Sequence, residues 1–323
     1  MSKPPNRRGL ATALRLGAYL AFAGIVVAFA LAAPGFLNPV NLLNVLQQSA
    51  ILALLAFGLT VVVIGGGGDV VTGGIDLSVA ANLGLSAAIY ATTIQKGYPD
   101  ALAIAACLAS GVAVGAVNAL AVTVLRIVPL LATLAVAKIV SGLEFVLTQN
   151  SVVTASSPFL SWLADNGPLA VPVMAYALIL TTLIAWPVAQ ATPYGLRLQA
   201  VGAHREAARA AGLPVKAYVA ASYMVSGLFS ALAGVLSAAY LTGSSPGSAD
   251  ILLSVVVAAL LGVVFSPRLT PTIGGAALAV LFIGLLNNGF QLVNISSYWV
   301  SGVEGALILF VVACTPSQRE ALS

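Results

Sequence analysis

Ten apolar runs dominate the chain, at residues 16–33, 44–64, 79–95, 101–125, 129–148, 171–189, 217–242, 251–265, 272–291 and 298–314. Short polar or glycine-rich stretches separate them. The polar positions do not alternate with the period of two that a lipid-facing barrel strand needs. Lipid cannot satisfy a bare backbone, so runs of this length predict helices. A span uses roughly 20 residues, and ten spans would take up about 200 of the chain. The rest suffices for short loops and no separate soluble domain. The predicted fold is all-α, a polytopic membrane protein of about ten transmembrane helices. Its membrane domain is 16–316, between an N-terminal tail 1–15 and a C-terminal tail 317–323. The first run follows Lys3, Arg7, Arg8 and Arg15, as a signal peptide would. No convincing Ala-x-Ala cleavage site follows and the run is long enough to span, so it is read as the first helix.

Composition agrees. Of 323 residues, 60% are hydrophobic and 7% charged, where soluble domains carry about 25% charged residues. Mean hydropathy is +1.06. Disorder, nucleic-acid binding and a water-soluble enzyme core are excluded at once. Cys107 and Cys314 both lie in apolar runs, and His204 is the single histidine. Neither a disulfide framework nor a metal cluster is expected. The net charge of +4 says less than its placement. With both termini in the cytoplasm, Lys3, Arg7, Arg8, Arg15, Arg126, Arg197, Arg205, Arg209, Lys216, Arg268 and Arg319 fall inside, eleven of the thirteen basic residues. Lys96 falls outside and Lys138 within a span, a sorting that supports ten helices. The segment 149–170 has no Lys or Arg and is predicted external, with Phe159 and Trp162 as interfacial anchors. The segment 190–216 is predicted cytoplasmic.

Three stretches carry chemistry. In the cytoplasmic segment, Ala203 to Ala211 is a run of helix formers, with Gly202 before it and Gly212 and Pro214 after it. That punctuation predicts one short helix. Ala207, Ala208 and Ala211 would admit another surface, and Arg205, Glu206 and Arg209 would fix its register; an ordinary basic loop is the alternative. Between 65 and 79, six glycines and two aspartates interrupt the apolar pattern. Glycine permits the backbone of a broken helix, here at Gly73 and Gly74, and Asp76 or Ser78 could cap the helix that follows. The stretch is either a break lining a path or a plain turn. In the ninth run, Gly284, Asn287, Asn288 and Gln291 share one helical face. Neutral amides donate and accept, as a hydroxyl-rich solute requires; hydrogen bonding between helices is the alternative. Gly111, Gly115 and Asn118 form a smaller echo, and a weak internal duplication fits both Gly-x-x-Asn elements. Gly227, Ala231 and Gly234 are read as close helix contact. Lys138, Glu144, Asp250 and Glu304 are lone charges, costly in a membrane unless they snorkel.

Residues 200–215, Ala-Val-Gly-Ala-His-Arg-Glu-Ala-Ala-Arg-Ala-Ala-Gly-Leu-Pro-Val, resemble the cytoplasmic coupling loop of ribose-type sugar ABC importer permeases. Gly202, Ala207, Ala208, Gly212 and Val215 match the pattern, and His204 stands where asparagine is usual. Residues 72–79, Thr-Gly-Gly-Ile-Asp-Leu-Ser-Val, resemble the family signature, with glycines 65–68 as a local elaboration. The likeness runs from about residue 42 to 311. Ser141, Ala119, Glu304 and the stretch 261–268 depart from it.

The resemblance implies a permease subunit of a bacterial inner-membrane ABC importer, passing a monosaccharide or related polyol by ATP-driven alternating access. It implies an ATP-binding partner subunit holding ATP and Mg, a periplasmic solute-binding protein, and a second permease chain in a homo- or heterodimer. The chain lacks Gly-x-x-x-x-Gly-Lys-Ser/Thr, so no cofactor and no enzymatic activity are expected of it. Asp76, Ser78, Asn118, Asn287, Asn288 and Gln291 are the candidates for the path or its support. Gly202, His204, Arg205, Glu206, Ala207, Ala208 and Gly212 are the candidates for coupling. No catalytic or metal-binding residue is expected. An ion-coupled secondary transporter remains a rival because of the 65–79 break. An intramembrane enzyme is a poorer one. An ABC permease for an amino acid or nucleoside is the third.

Overall fold

The computed structural model describes residues 7–67, 73–296 and 298–314. The C-terminal tail 317–323, the first six residues of the N-terminal tail and positions 68–72 of the glycine stretch lie outside the described residues. In chain order the helices are α1 (Arg7–Ala32), α2 (Pro39–Gly66), α3 (Val79–Gln95), α4 (Asp100–Thr123), α5 (Pro129–Thr148), α6 (Pro158–Ala164), α7 (Val173–Gln190), α8 (Pro193–Ala203), α9 (Arg205–Ala210), α10 (Val215–Tyr240), α11 (Leu252–Phe265), α12 (Ile273–Leu292) and α13 (Tyr298–Cys314). Their starts follow from local chemistry. Proline opens α2, α5, α6 and α8, where its missing N–H would have had no partner anyway. The side chains of Asn38, Ser157, Thr192 and Thr272 accept first-turn N–H groups of α2, α6, α8 and α12.

Ten of these helices fall on the ten apolar runs. Seven of them, α1, α2, α4, α5, α7, α10 and α12, are long and apolar enough to cross a membrane. α3, α11 and α13 are shorter, at 17, 14 and 17 residues.

α2 is the axis of the bundle. It is apolar all round and buried at almost every position from Ser49 to Gly66, as such a helix must be. α10, α12, α7, α11 and α8 all pack on it. α1 lies at the periphery and holds on through rings: Phe22 against Phe265 and Phe282, and Phe29 against Phe290. α4 and α10 cross with backbones nearly touching. A methyl group on Gly227 would sit 2.1 Å from the Gly111 carbonyl oxygen, and one on Gly115 2.4 Å from that of Tyr223. Small residues allow this approach, and dispersion rewards it.

The sheet among the described residues is one antiparallel pair, β1 (Val153–Thr154) with β2 (Gly243–Ser244), in register Val153↔Ser244 and Thr154↔Gly243. It ties the 149–170 segment to the one that follows α10. α6 lies in the first of these, its Phe159 and Trp162 rings 5.8 Å apart, with Trp162 exposed.

Candidate functional site

A cavity of about 520 Å³ opens between α2, α3, α10, α11 and α12. Its polar lining is Gln48 and Ser49 from α2, Ser237 and Tyr240 from α10, Ser245, Ser254 from α11, and Asn287 and Gln291 from α12. Gly284 makes the geometry possible. A Cβ there would lie 2.2 Å from the Ser49 hydroxyl oxygen, so α12 closes onto α2 at that turn. Asn287 and Gln291, three and seven residues on, then face the cavity. Asn288 does not. It turns to Asn41 in a reciprocal amide pair of 2.8 and 3.0 Å, while Asn41 also donates to the Phe36 carbonyl. The single amide face read from spacing is thus divided between a cavity and a helix–helix bond. Every residue lining the cavity is uncharged. A carboxyl stands directly behind it: Ser254 donates 2.8 Å to Glu304 of α13, which is buried.

Asp76, Ser78 and Asn118 come together, away from that cavity. All three are at most 1% exposed. One Asp76 oxygen accepts from the Ser78 backbone N–H (3.0 Å), the Ser78 hydroxyl (2.6 Å) and the Asn118 amide (3.3 Å). The other accepts from Ser226 of α10 at 2.8 Å. Asn118 donates to the Ser78 hydroxyl as well. The Tyr223 hydroxyl and the Leu77 N–H are also engaged, with the Ile75 carbonyl and Thr133. Residues 73–78 are therefore irregular backbone wrapped in protein, the one setting in which such backbone survives at membrane depth. Ser78 occupies the cap position of α3, yet its hydroxyl makes no capping bond. It donates to Asp76, whose carboxylate takes the Ser78 N–H instead. Gly73 and Gly74 are buried where the chain folds back on α2; a Cβ on Gly74 would lie 2.3 Å from the Val62 carbonyl oxygen.

The third group sits at the C-terminal end of α2, where Gly73 and Gly74 also fold back on it. The helix predicted over 203–211 is α9, Arg205–Ala210, and a second helix, α8, precedes it. α8 runs through Gly202 to Ala203, and the chain turns at His204, whose Nδ1 accepts the Ala207 N–H at 3.2 Å and caps α9. Gly202 is thus interior to a helix, not a boundary before one, and it lies against α2, where a Cβ would meet the Ile64 carbonyl oxygen at 1.9 Å. Arg205 points inward and donates 3.0 Å to the Gly66 carbonyl. Glu206 pairs with Arg209 at 2.7 Å on the exposed side. Ala207 is exposed, Ala208 is buried with Val201, Val62 and Val219, and Gly212 ends the turn at φ +83°. Position 212 favours glycine because of that left-handed backbone.

Spacing did not single out Gln48, Ser49, Ser237, Tyr240, Ser254, Asn41 or Ser226. Two of these omissions had a signal. Gln48-Ser49 is a polar doublet inside an apolar run, and Ser222, Ser226 and Ser230 recur every fourth residue in the seventh run.

The permease component of branched-chain amino acid transport systems, as a family, matches residues 41–312. The chain belongs to this family. It is similar to the ribose import permease protein of Bacillus subtilis, 35% identical over 301 residues, with 92% of this chain and 91% of that protein covered. It is similar to the ribose import permease protein of Escherichia coli K12, 32% identical with 86% of each covered. The galactofuranose transporter permease protein of the same organism is 32% identical, with 88% of this chain and 81% of that protein covered. No solved structure matches the chain. Family membership makes the chain a transport subunit, a multi-pass protein of the bacterial inner membrane. It sets aside the ion-coupled transporter. α1 lies before the matched residues, which begin within α2.

Proposed function

We propose that the chain is the membrane-spanning subunit of an ABC importer for a monosaccharide or related polyol. The observation that carries the cargo is the neutral cavity. At about 520 Å³ it falls in the usual range of small-molecule sites, about 300–1,000 Å³. Gln48, Asn287 and Gln291 offer paired donors and acceptors, the serines and Tyr240 offer hydroxyls, and Leu52 and Leu83 offer apolar surface. A sugar presents hydroxyls on an apolar ring and would satisfy both. A zwitterionic amino acid would carry an ammonium and a carboxylate into a lining with no opposite charge, which desolvation penalises. The names of the sugar-permease relatives point the same way.

In this reading the α8–α9 end is cytoplasmic and the exposed side of α9, with Glu206, Ala207 and Arg209, meets an ATP-binding subunit. That subunit would hold ATP and Mg. A periplasmic solute-binding protein would dock at the end carrying α6 and the β1–β2 pair. A second permease chain, identical or different, would complete the path. Asn287 and Gln291 are path residues. Asp76, Ser78, Asn118 and Asn288 are supports, because each hydrogen-bonds across to another element: Asp76 and Ser78 to Asn118, Asp76 to Ser226, and Asn288 to Asn41.

The test is to tag the chain, crosslink in native membranes, purify and identify the partners by mass spectrometry. Recovery of an ATP-binding subunit, lost when the exposed residues Glu206, Ala207 and Arg209 are altered, supports the reading. Its absence despite efficient crosslinking would sink it. For cargo, the purified complex in liposomes loaded with ATP should take up labelled D-ribose better than labelled L-leucine, and the reverse order would favour the amino acid reading.

A further inference from the structure

Glycines 65–67 have a use that the signature following them does not explain. Each gives up its side-chain space to a neighbour at the end of α2. A Cβ on Gly65 would meet the Leu198 side chain of α8 at 2.7 Å; on Gly66, the backbone of Gly74 at 1.9 Å; on Gly67, which has φ +87°, the Gly202 carbonyl oxygen at 2.7 Å. α8 thus rests on the last turn of α2 with Gly202 against the Ile64 carbonyl. Arg205, the first residue of α9, closes the seat by donating to the Gly66 carbonyl at 3.0 Å. The last carbonyls of a helix lack intrahelical partners and carry its negative dipole end. A guanidinium placed there is bound by charge as well as by hydrogen bonding. Ala208 and Val201 add apolar contact with Val62.

We propose that Arg205 and Gly202 latch the α8–α9 hairpin to α2, so that α2 is the rod that carries movement of α9 to the cavity. The inference rests on the transport function proposed above and assigns Arg205 inward, as a positioning residue, where the coupling loop as a whole would be assigned to the ATP-binding subunit. The geometry suits a rod. α2 is unbroken from Pro39 to Gly66. Its Ser49 lines the cavity, and 17 residues separate it from Gly66, about 25 Å at the α-helical rise.

The experiment uses the full chain in complex with its ATP-binding subunit. Spin labels are placed at Val40→Cys, on the first turn of α2, and at Trp162→Cys on α6; both parent residues are exposed. Cys107→Ala and Cys314→Ser remove the native thiols. The distance between labels is read by pulsed electron resonance without nucleotide and after trapping with ATP, Mg and vanadate. With Arg205 intact, trapping should move the distance by about 2 Å or more, the scale of helix shifts in switching proteins. In Arg205→Met the ATP-binding subunit should still co-purify and hydrolyse ATP, while the shift is lost. Arg205→Lys, which keeps one charged donor, should recover part of it. If Arg205→Met aggregates, Gly67→Ala makes the same comparison, because it strains the seat without removing the guanidinium. An equal shift in intact and altered chains overturns the latch, as does a complex that hydrolyses ATP with no movement of α2. Failure to recover any ATP-binding subunit is a different result, and it removes the transport reading beneath the latch.

Discussion

Gly227→Ala is the sharpest test of how α4 and α10 are held. The added Cβ would lie 2.1 Å from the Gly111 carbonyl oxygen, 3.0 Å from its carbon and 3.1 Å from the Gly115 nitrogen. All three are backbone atoms inside a helix, so no rotamer change relieves the clash. Real Cβ contacts essentially never fall below 3.0 Å, and the crossing must open by about 0.9 Å. A gap of that size forfeits a quarter to a half of the dispersion well for each atom pair across it. It also stretches the bond from the Asn82 amide to the Gly227 carbonyl, now 3.2 Å. Overpacking costs about 1–3 kcal/mol and a lost hydrogen bond about 1 kcal/mol. Alanine returns about 0.8–1.0 kcal/mol of helix propensity. The expected net loss is about 1–3 kcal/mol, or roughly 2–5 °C in melting temperature for a chain of this size. Gly142→Ala is the matched comparison. It is also a glycine within a helix, α5, but nothing lies within 4 Å of its missing Cβ. There only the propensity gain remains, and the melt should stay level or rise by about 1–2 °C. The assay is the melting temperature of each purified variant in one detergent, read as recovery of the monodisperse peak after heating. If Gly227→Ala melts at or above Gly142→Ala, the two helices are not in backbone contact and the reasoning is wrong.

Three further outcomes are expected. Asn287→Leu and Gln291→Leu should lower uptake of labelled D-ribose with little change in melting, whereas Asn288→Leu should chiefly destabilise, by about 1–3 kcal/mol, because it orphans Asn41; equal behaviour of Asn287 and Asn288 would contradict the divided face. Asp76→Ala removes the acceptor of Ser78, Asn118 and Ser226 together and should lower the melting temperature more than Ser226→Ala, which removes one donor at a cost of about 1 kcal/mol; the opposite order would mean that the carboxylate is not the hub. Glu206→Ala breaks a pair whose side chains are 73% and 59% exposed, for Glu206 and Arg209, so stability should change by less than about 1 kcal/mol, while capture of the ATP-binding subunit falls; unchanged capture would take Glu206 out of that interface.

The helices were legible because each apolar run had one stable solution in lipid, and every run from 16–33 to 298–314 became a helix. Residues acting over a distance were not. Ala203 to Ala211 is helix-forming throughout, and nothing local marks His204 as a break. The break arises because Arg205 is held by a carbonyl 139 residues away while the His204 ring caps the new start. Asn287 and Asn288 are identical neighbours in sequence, and their separate fates are fixed by which helix lies opposite each one. Ser237, Tyr240 and Ser254 line a cavity only because α10 ends and α11 begins beside it, and single hydroxyls in apolar runs look like ordinary packing. Asp76 and Ser78 were legible as polar residues at a break. Their partner Ser226 belongs to a serine ladder that spacing alone would assign to helix contacts.

The two-residue sheet has a reach beyond its size. Ser244 pairs with Val153, and the next three residues, Ser245, Pro246 and Gly247, are part of the cavity wall. This part of the cavity wall thus adjoins a seam between two distant stretches of chain. A change in length on either side of that seam is transmitted to the other. Insertions or tags within 149–157, a stretch that supplies no cavity-lining residue, should reshape access to it as surely as a substitution in the wall.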